Sequence, residues 1–341
     1  MKKLFLPTRL KDYYRFFQVP ARKWWYGLFV FLAIIVIAFG LLLLNWLFPL
    51  DDISEDADEW APAIGILVGN LEVGGLFIGI AVLVAWLLFR QGFGWLSSVV
   101  GRFRWKWFAV TIAVFGTGLL LWQAGKFLFF DLPEGIVEEL AIRPYTVFIL
   151  VVLLLTVPLQ SAGEEFLVRG LLGRSIAAAV PFRKIGLILS VLISSLIFML
   201  LHQEESLSRN LMFFSWGLMM WWLAYRTGGI EASIAFHAVN NLLEQWPLPF
   251  VDLNEVSTRG KVDLLSTLLM LVIQLILILI IDLLARRRNL VRMSSPAAAI
   301  PEVVKASSTI FMKIESSVEL ATKEDLPRFD TTIREVLPDN S

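Results

Sequence analysis

Residues 145–172 read YTVFILVVLLLTVPLQSAGEEFLVRGLL. As an α-helix this stretch would be about 42 Å long. That exceeds the roughly 30 Å hydrocarbon core of a bilayer. Its first half carries no charge, and Glu164, Glu165 and Arg169 stand in the second. Backbone groups in lipid must be paired within the segment, so an apolar run of this length is a helix. Similar runs lie on either side: Trp24–Leu50, Ala61–Phe89, Trp107–Phe130, Ile185–His202, Leu211–Tyr225, Ile230–Leu243 and Leu264–Ala285. The sixth and seventh spans are short and carry polar residues. The expected fold class is all-α, a polytopic membrane helix bundle of about eight transmembrane helices.

The composition agrees. Hydrophobic residues make up 57% of the 341 and charged residues 18%, against roughly 45–50% and about 25% in ordinary globular domains. The mean hydropathy is +0.71. A soluble fold would have too little polar surface to cover this apolar mass. The zero net charge argues against a nucleic-acid partner. There is no Cys, which excludes disulfides, a thiolate nucleophile and Cys-ligated metals. The first apolar run is not followed by a small-residue cleavage pattern and reads as a retained span.

Lys and Arg set the orientation. They gather before the first span (Lys2, Lys3, Arg9, Lys11, Arg15, Arg22, Lys23) and in the same-side connections (Arg90, Arg102, Arg104, Lys106; Arg174, Arg183, Lys184; Arg226). They also stop the last span at Arg286, Arg287, Arg288 and Arg292. The opposite connections hold only Lys126, Arg143, Arg209, Arg259 and Lys261, and the acidic stretch 51–59 has none. Both termini are thus expected on the cytoplasmic side. The chain divides into a basic N-terminal segment (1–23), accessory transmembrane helices (24–142) and a core (143–245). A last helix with its basic stop (246–293) and a polar tail expected to be disordered (294–341) complete it. Residues 92–107 read as a short interfacial helix or a basic loop with aromatic anchors outside the bundle.

Ionisable groups inside a bilayer are expensive and face a cavity or a partner. In the spans these include Glu72, Glu164, Glu165, Arg169, His202, Glu231 and His237, with Asn240 and Asn241 beside them. Glu165 and Arg169 are four apart and can pair on one helix face. Glu164, about 100° away on the helix, has no intrahelical partner in this reading. A lone intramembrane His is more often a helix–helix hydrogen bonder than a catalyst. Here the chain's only two His share the bundle with a spare acid. A Glu and a His could hold and deprotonate a water, while a His and an Asn one turn apart could donate to an oxyanion. The same groups could instead ligate zinc, although no His-Glu-x-x-His helix is present. No serine nucleophile motif or Asp pair stands out.

Three ordered motifs, Glu164-Glu165-x-x-x-Arg169, Phe198-x-x-x-His202 and His237-x-x-x-Asn241, resemble those of the CPBP family, the CAAX prenyl protease type II and Abi proteins. The resemblance covers about 100 residues, from the fourth span to the seventh. It implies an intramembrane endopeptidase acting on a peptide or protein substrate in or at the membrane. In that picture Glu164 and His202 activate water, and His237 and Asn241 stabilise the oxyanion. Glu165 and Arg169 organise the site, and Phe198 packs beside it. No cofactor is assigned, and a divalent metal such as zinc is the alternative. The partners are substrate and lipid bilayer, and the location is a bacterial cytoplasmic membrane. A non-catalytic scaffold or bacteriocin-immunity factor using the same pocket is the second reading. A proton-coupled transporter, with Glu72, Glu164 and the two histidines as the proton path, is the third.

Helix arithmetic leaves one tension. Glu164 lies roughly 15 Å from Arg174 along its helix, whereas His202 lies roughly 27 Å from Lys184. A fourth helix extended to Ala178 and broken before Pro181, together with tilting, would reduce the mismatch.

Overall fold

Each described apolar run forms a helix in the computed structural model, which describes residues 5–19, 25–34, 60–129, 140–202, 204, 206–253 and 264–296. In chain order these are α1 (Trp25–Ile34), α2 (Trp60–Phe89), α3 (Phe93–Ser97), α4 (Trp105–Phe129) and α5 (Thr146–Ala179). There follow α6 (Arg183–Leu201), α7 (Leu207–Thr227), α8 (Glu231–Glu244) and α9 (Leu264–Arg287). Among the described residues, α2, α4, α5, α6 and α9 are long and apolar enough to cross a membrane. The fold is an all-α bundle. Most of the expected first span and nearly all of the tail lie outside the described residues.

The short polar span, α8, is the interior helix. Every residue from Glu231 to Asn240 is buried, and α4, α5 and α7 pack around it. A helix surrounded by protein need not be apolar toward lipid, which is why its sequence reads weakly as a span.

The long helix α5 passes through Pro158. It widens into π turns over Phe166–Gly173 and continues through Arg174–Ala179. It therefore runs past Leu172 and breaks at Val180, whose backbone is extended, before Pro181. The extension and break relieve the height mismatch. Measured from that turn, Arg169 stands roughly 15 Å up α5 and Phe198 roughly 22 Å up α6, close enough for crossing helices to bring them together. Arg174, read from sequence as a connection residue, is fully buried within α5. Its guanidinium carbon sits 4.0 Å from the Phe17 ring centroid. It donates to the Trp95 carbonyl and Gln91 Oε1, both at 2.9 Å.

These aromatic partners come from the N-terminal segment. There β1 (Lys11–Asp12) pairs antiparallel with β2 (Met293–Ser294). Tyr13, Tyr14, Phe16 and Phe17 are buried, and Tyr14 stacks on Trp221 at 4.4 Å. Burial pushes both tyrosine phenols above their ordinary range, so they stay neutral hydrogen-bond donors. Residues 92–107 are not peripheral either. Leu96, Ser97, Ser98 and Val99 are buried. Val99 N donates to the Gly228 carbonyl and Ile230 N to the Ser97 carbonyl, each at 2.9 Å. Arg104 grips Glu231 with two side-chain bonds of 2.8 and 2.7 Å. This anchors the start of α8, so a segment rich in Arg and Lys packs inward around one charge pair.

Two glycines set the approach of α2 to α5. A Cβ on Gly163 would lie 2.6 Å from the Val73 carbonyl oxygen and 2.8 Å from the Gly74 Cα. One on Gly74 would lie 2.7 Å from Leu159 Cγ. Small residues permit this backbone contact. Gly163→Leu is therefore expected to force the helices apart at a cost of roughly 1–3 kcal/mol. Thermal unfolding in detergent should show the loss, with Gly163→Ala intermediate.

Candidate active site

Three helices bring the sequence-selected groups to one place. On α5, Arg169 Nη1 donates to Glu165 Oε1 at 2.8 Å, and both side chains are 0% exposed. From α8, His237 Nδ1 lies 3.2 Å from the same Glu165 oxygen. Its Nε2 lies 3.7 Å from Glu164 Oε2. One imidazole thus touches both acids. The adjacent carboxylates stand about 100° apart on the helix, as the sequence spacing requires. They do diverge on α5, but a ring with nitrogens on two edges fits between them.

Nor does Glu164 lack a partner on its own helix. Gln160 Nε2, one turn earlier, donates to Glu164 Oε1. Gln160 Oε1 in turn accepts from Asn241 Nδ2 at 3.1 Å. Gln160 was not selected from the sequence. Its i, i+4 spacing to Glu164 was the available signal, but the second half of the contact comes from α8. The neighbouring Asn240 faces elsewhere. Its Oδ1 accepts from Gln274 of α9 at 2.6 Å, and Gln274 Oε1 accepts from Trp216 of α7 at 2.9 Å. The adjacent amides therefore split, Asn240 fixing the rotation of α8 and Asn241 facing α5.

Phe198 of α6 is the common wall. It is buried, and the Arg169 guanidinium carbon sits 4.3 Å from its ring centroid, a cation–π contact. Its ring centroid is 4.6 Å from that of His202 and 5.5 Å from that of His237. His202, at the end of α6, stacks on Phe213 at 3.8 Å, and its Nδ1 lies 2.7 Å from the Phe198 carbonyl oxygen. A carbonyl only accepts, so Nδ1 carries the proton and Nε2 of the neutral ring is left as an acceptor. The same logic applies to His237, whose Nδ1 faces the ion-paired Glu165. In the neutral ring its Nε2 lone pair points toward Glu164.

Burial is graded across the cluster. Glu165 and Arg169 are sealed and the His237 side chain is 1% exposed, while the Glu164 side chain retains 14%. His202, Gln160 and Asn241 are half-buried. Glu72 lies on the exposed surface of α2. Glu231 is committed to Arg104.

Glu165 Oε1 is shared by Arg169 and His237. Among the described residues no three His, Cys, Asp or Glu side chains are arranged around one point to hold an ion. The groups available for chemistry are an accessible carboxylate, two imidazole Nε2 atoms and an amide. That inventory suits proton transfer to and from water.

The helices and the buried acid–imidazole centre define a membrane-type helix bundle with a cluster of proton-transfer groups beside its interior helix. Residues 144–243, from two residues before α5 to one residue short of the end of α8, match the family model described as type II CAAX prenyl endopeptidase, Rce1-like. The match supports the resemblance to the CPBP family and, at family level, a CAAX-protease-like intramembrane protease in an integral membrane protein. No curated protein and no solved structure matches the chain.

The Glu165–Arg169 pair yields a test. Arg169→Leu leaves a buried carboxylate uncompensated and is expected to cost about 3–5 kcal/mol. A double variant, Glu165→Leu with Arg169→Leu, should regain much of that stability in a detergent melting assay without regaining activity.

Proposed function

We propose that the protein is an intramembrane endopeptidase that hydrolyses a peptide bond of a membrane-associated peptide or protein using water activated by Glu164. The observation that carries this reading is the single His237 ring lying against both Glu164 and Glu165, with Phe198 packed between it and His202 and with Asn241 one turn along the same helix. Those residues belong to the three motifs read from the sequence, which lie within the matched segment 144–243.

In the proposed reaction a water sits between Glu164 and Nε2 of His202. Glu164 takes a proton as the water oxygen attacks the scissile carbonyl carbon. The carbonyl π electrons move to oxygen, and the resulting oxyanion is met by Asn241 and His237. His237 donates from Nε2 only as the imidazolium, because its Nδ1–H is given to Glu165. Collapse of the intermediate breaks the C–N bond, and the proton held by Glu164 passes to the leaving amine. Glu165 and Arg169 hold His237 in place. The basic-residue asymmetry supports an orientation with both termini in the cytoplasm, and the membrane in this reading is a bacterial inner membrane.

The test uses the full chain in lipid nanodiscs with a quenched fluorescent peptide ending in a farnesylated Cys-aliphatic-aliphatic-X sequence, alongside a general peptide library. Wild type is expected to cleave. Glu164→Gln, His202→Ala and His237→Ala should each lose about 10²–10⁴-fold in rate at unchanged expression. Cleavage at wild-type rate in any of them would remove the role assigned to that residue.

A further inference from the structure

We infer that Gln160 is a positioning residue that selects the reacting oxygen of Glu164 and aims the Asn241 amide. This rests on the reading of Glu164 as the base. Gln160 stands one turn before Glu164 on α5 and reaches two partners on two helices. Its Nε2 donates to Glu164 Oε1, and its Oε1 accepts from Asn241 Nδ2 at 3.1 Å. Ser161 Oγ adds a contact to the same Gln160 oxygen at 3.5 Å, the outer limit of a hydrogen bond.

The direction of the amide follows from chemistry. A carboxylate only accepts, so the NH₂ end must face Glu164. The carbonyl end must then face Asn241, which has donors to offer. The result is a one-way relay from α8 through Gln160 to Glu164.

Two consequences follow for the reacting groups. Glu164 Oε1 is occupied, so Oε2, on the His237 side, is the oxygen left to take a proton from water. Asn241 spends one N–H on Gln160 and keeps its second for an oxyanion. Glu164 retains 14% side-chain exposure, so without Gln160 its carboxylate could rotate away from His237. Small errors in placing a base cost rate more than substrate binding.

The experiment compares Gln160→Met, similar in size but unable to bridge, with wild type in the nanodisc peptide assay. The expected result is a kcat lower by roughly 10- to 100-fold, the range for losing a hydrogen bond to a charged group, with KM within about twofold. Asn241→Ala added to Gln160→Met should lower kcat by less than it does in wild type, because the two act through one relay. If Gln160→Met melts early in detergent, Gln160→Asn, which keeps the amide but is one methylene too short to bridge both partners, carries the same kcat test. A Gln160→Met enzyme with wild-type kcat, or one in which only KM rises, overturns the inference when Glu164→Gln is inactive. A Glu164→Gln enzyme that turns over normally instead overturns the base assignment, and the inference with it.

Discussion

The buried pair of Glu165 and Arg169 is the interaction on which the rest of the site depends. Two charges four residues apart on one helix cancel each other, which makes either tolerable at depth. Arg169 then lays its guanidinium on Phe198, and Glu165 accepts from His237. One ion pair on α5 thereby fixes the faces that α6 and α8 must present. Removing either charge strands the other in a sealed space. Replacing both would spare the bundle and remove the anchor of the imidazole.

Around that pair, small and amide side chains carry the positional detail. Gly163, directly before the two acids, lets α2 and α5 touch through backbone. This sets the position of Glu164 and Glu165 from behind. Asn240 locks α8 to α9 through Gln274, so its neighbour Asn241 is presented to α5. Neither contact involves a charge, yet each decides where a charged group points.

Much of this was legible in the sequence. Long apolar runs predicted the helices, and the i, i+4 spacing predicted the Glu165–Arg169 pair. The three motifs picked out the groups that converge. What periodicity could not supply was contact between helices. The bond from Asn241 to Gln160, and thus the part Gln160 plays, joins α8 to α5. The seat of His237 between two acids depends on how α8 is rotated. The burial of Arg174 and of residues 96–99 was equally hidden. Arg normally marks a solvent-facing connection, and only the aromatic rings of residues 13–17 and the carbonyls of the neighbouring loop make its burial affordable. The extension of α5 to Ala179 follows from the same packing.

The small ladder of Lys11–Asp12 with Met293–Ser294 has a consequence for biogenesis. During synthesis the earlier strand emerges long before the ribosome has made its partner, with α9 still to be inserted. The tyrosines and phenylalanines that surround Arg174 follow directly on that strand. Their final register is therefore fixed only once the last described helix is in the bilayer, so closure of this end is a late event in assembly.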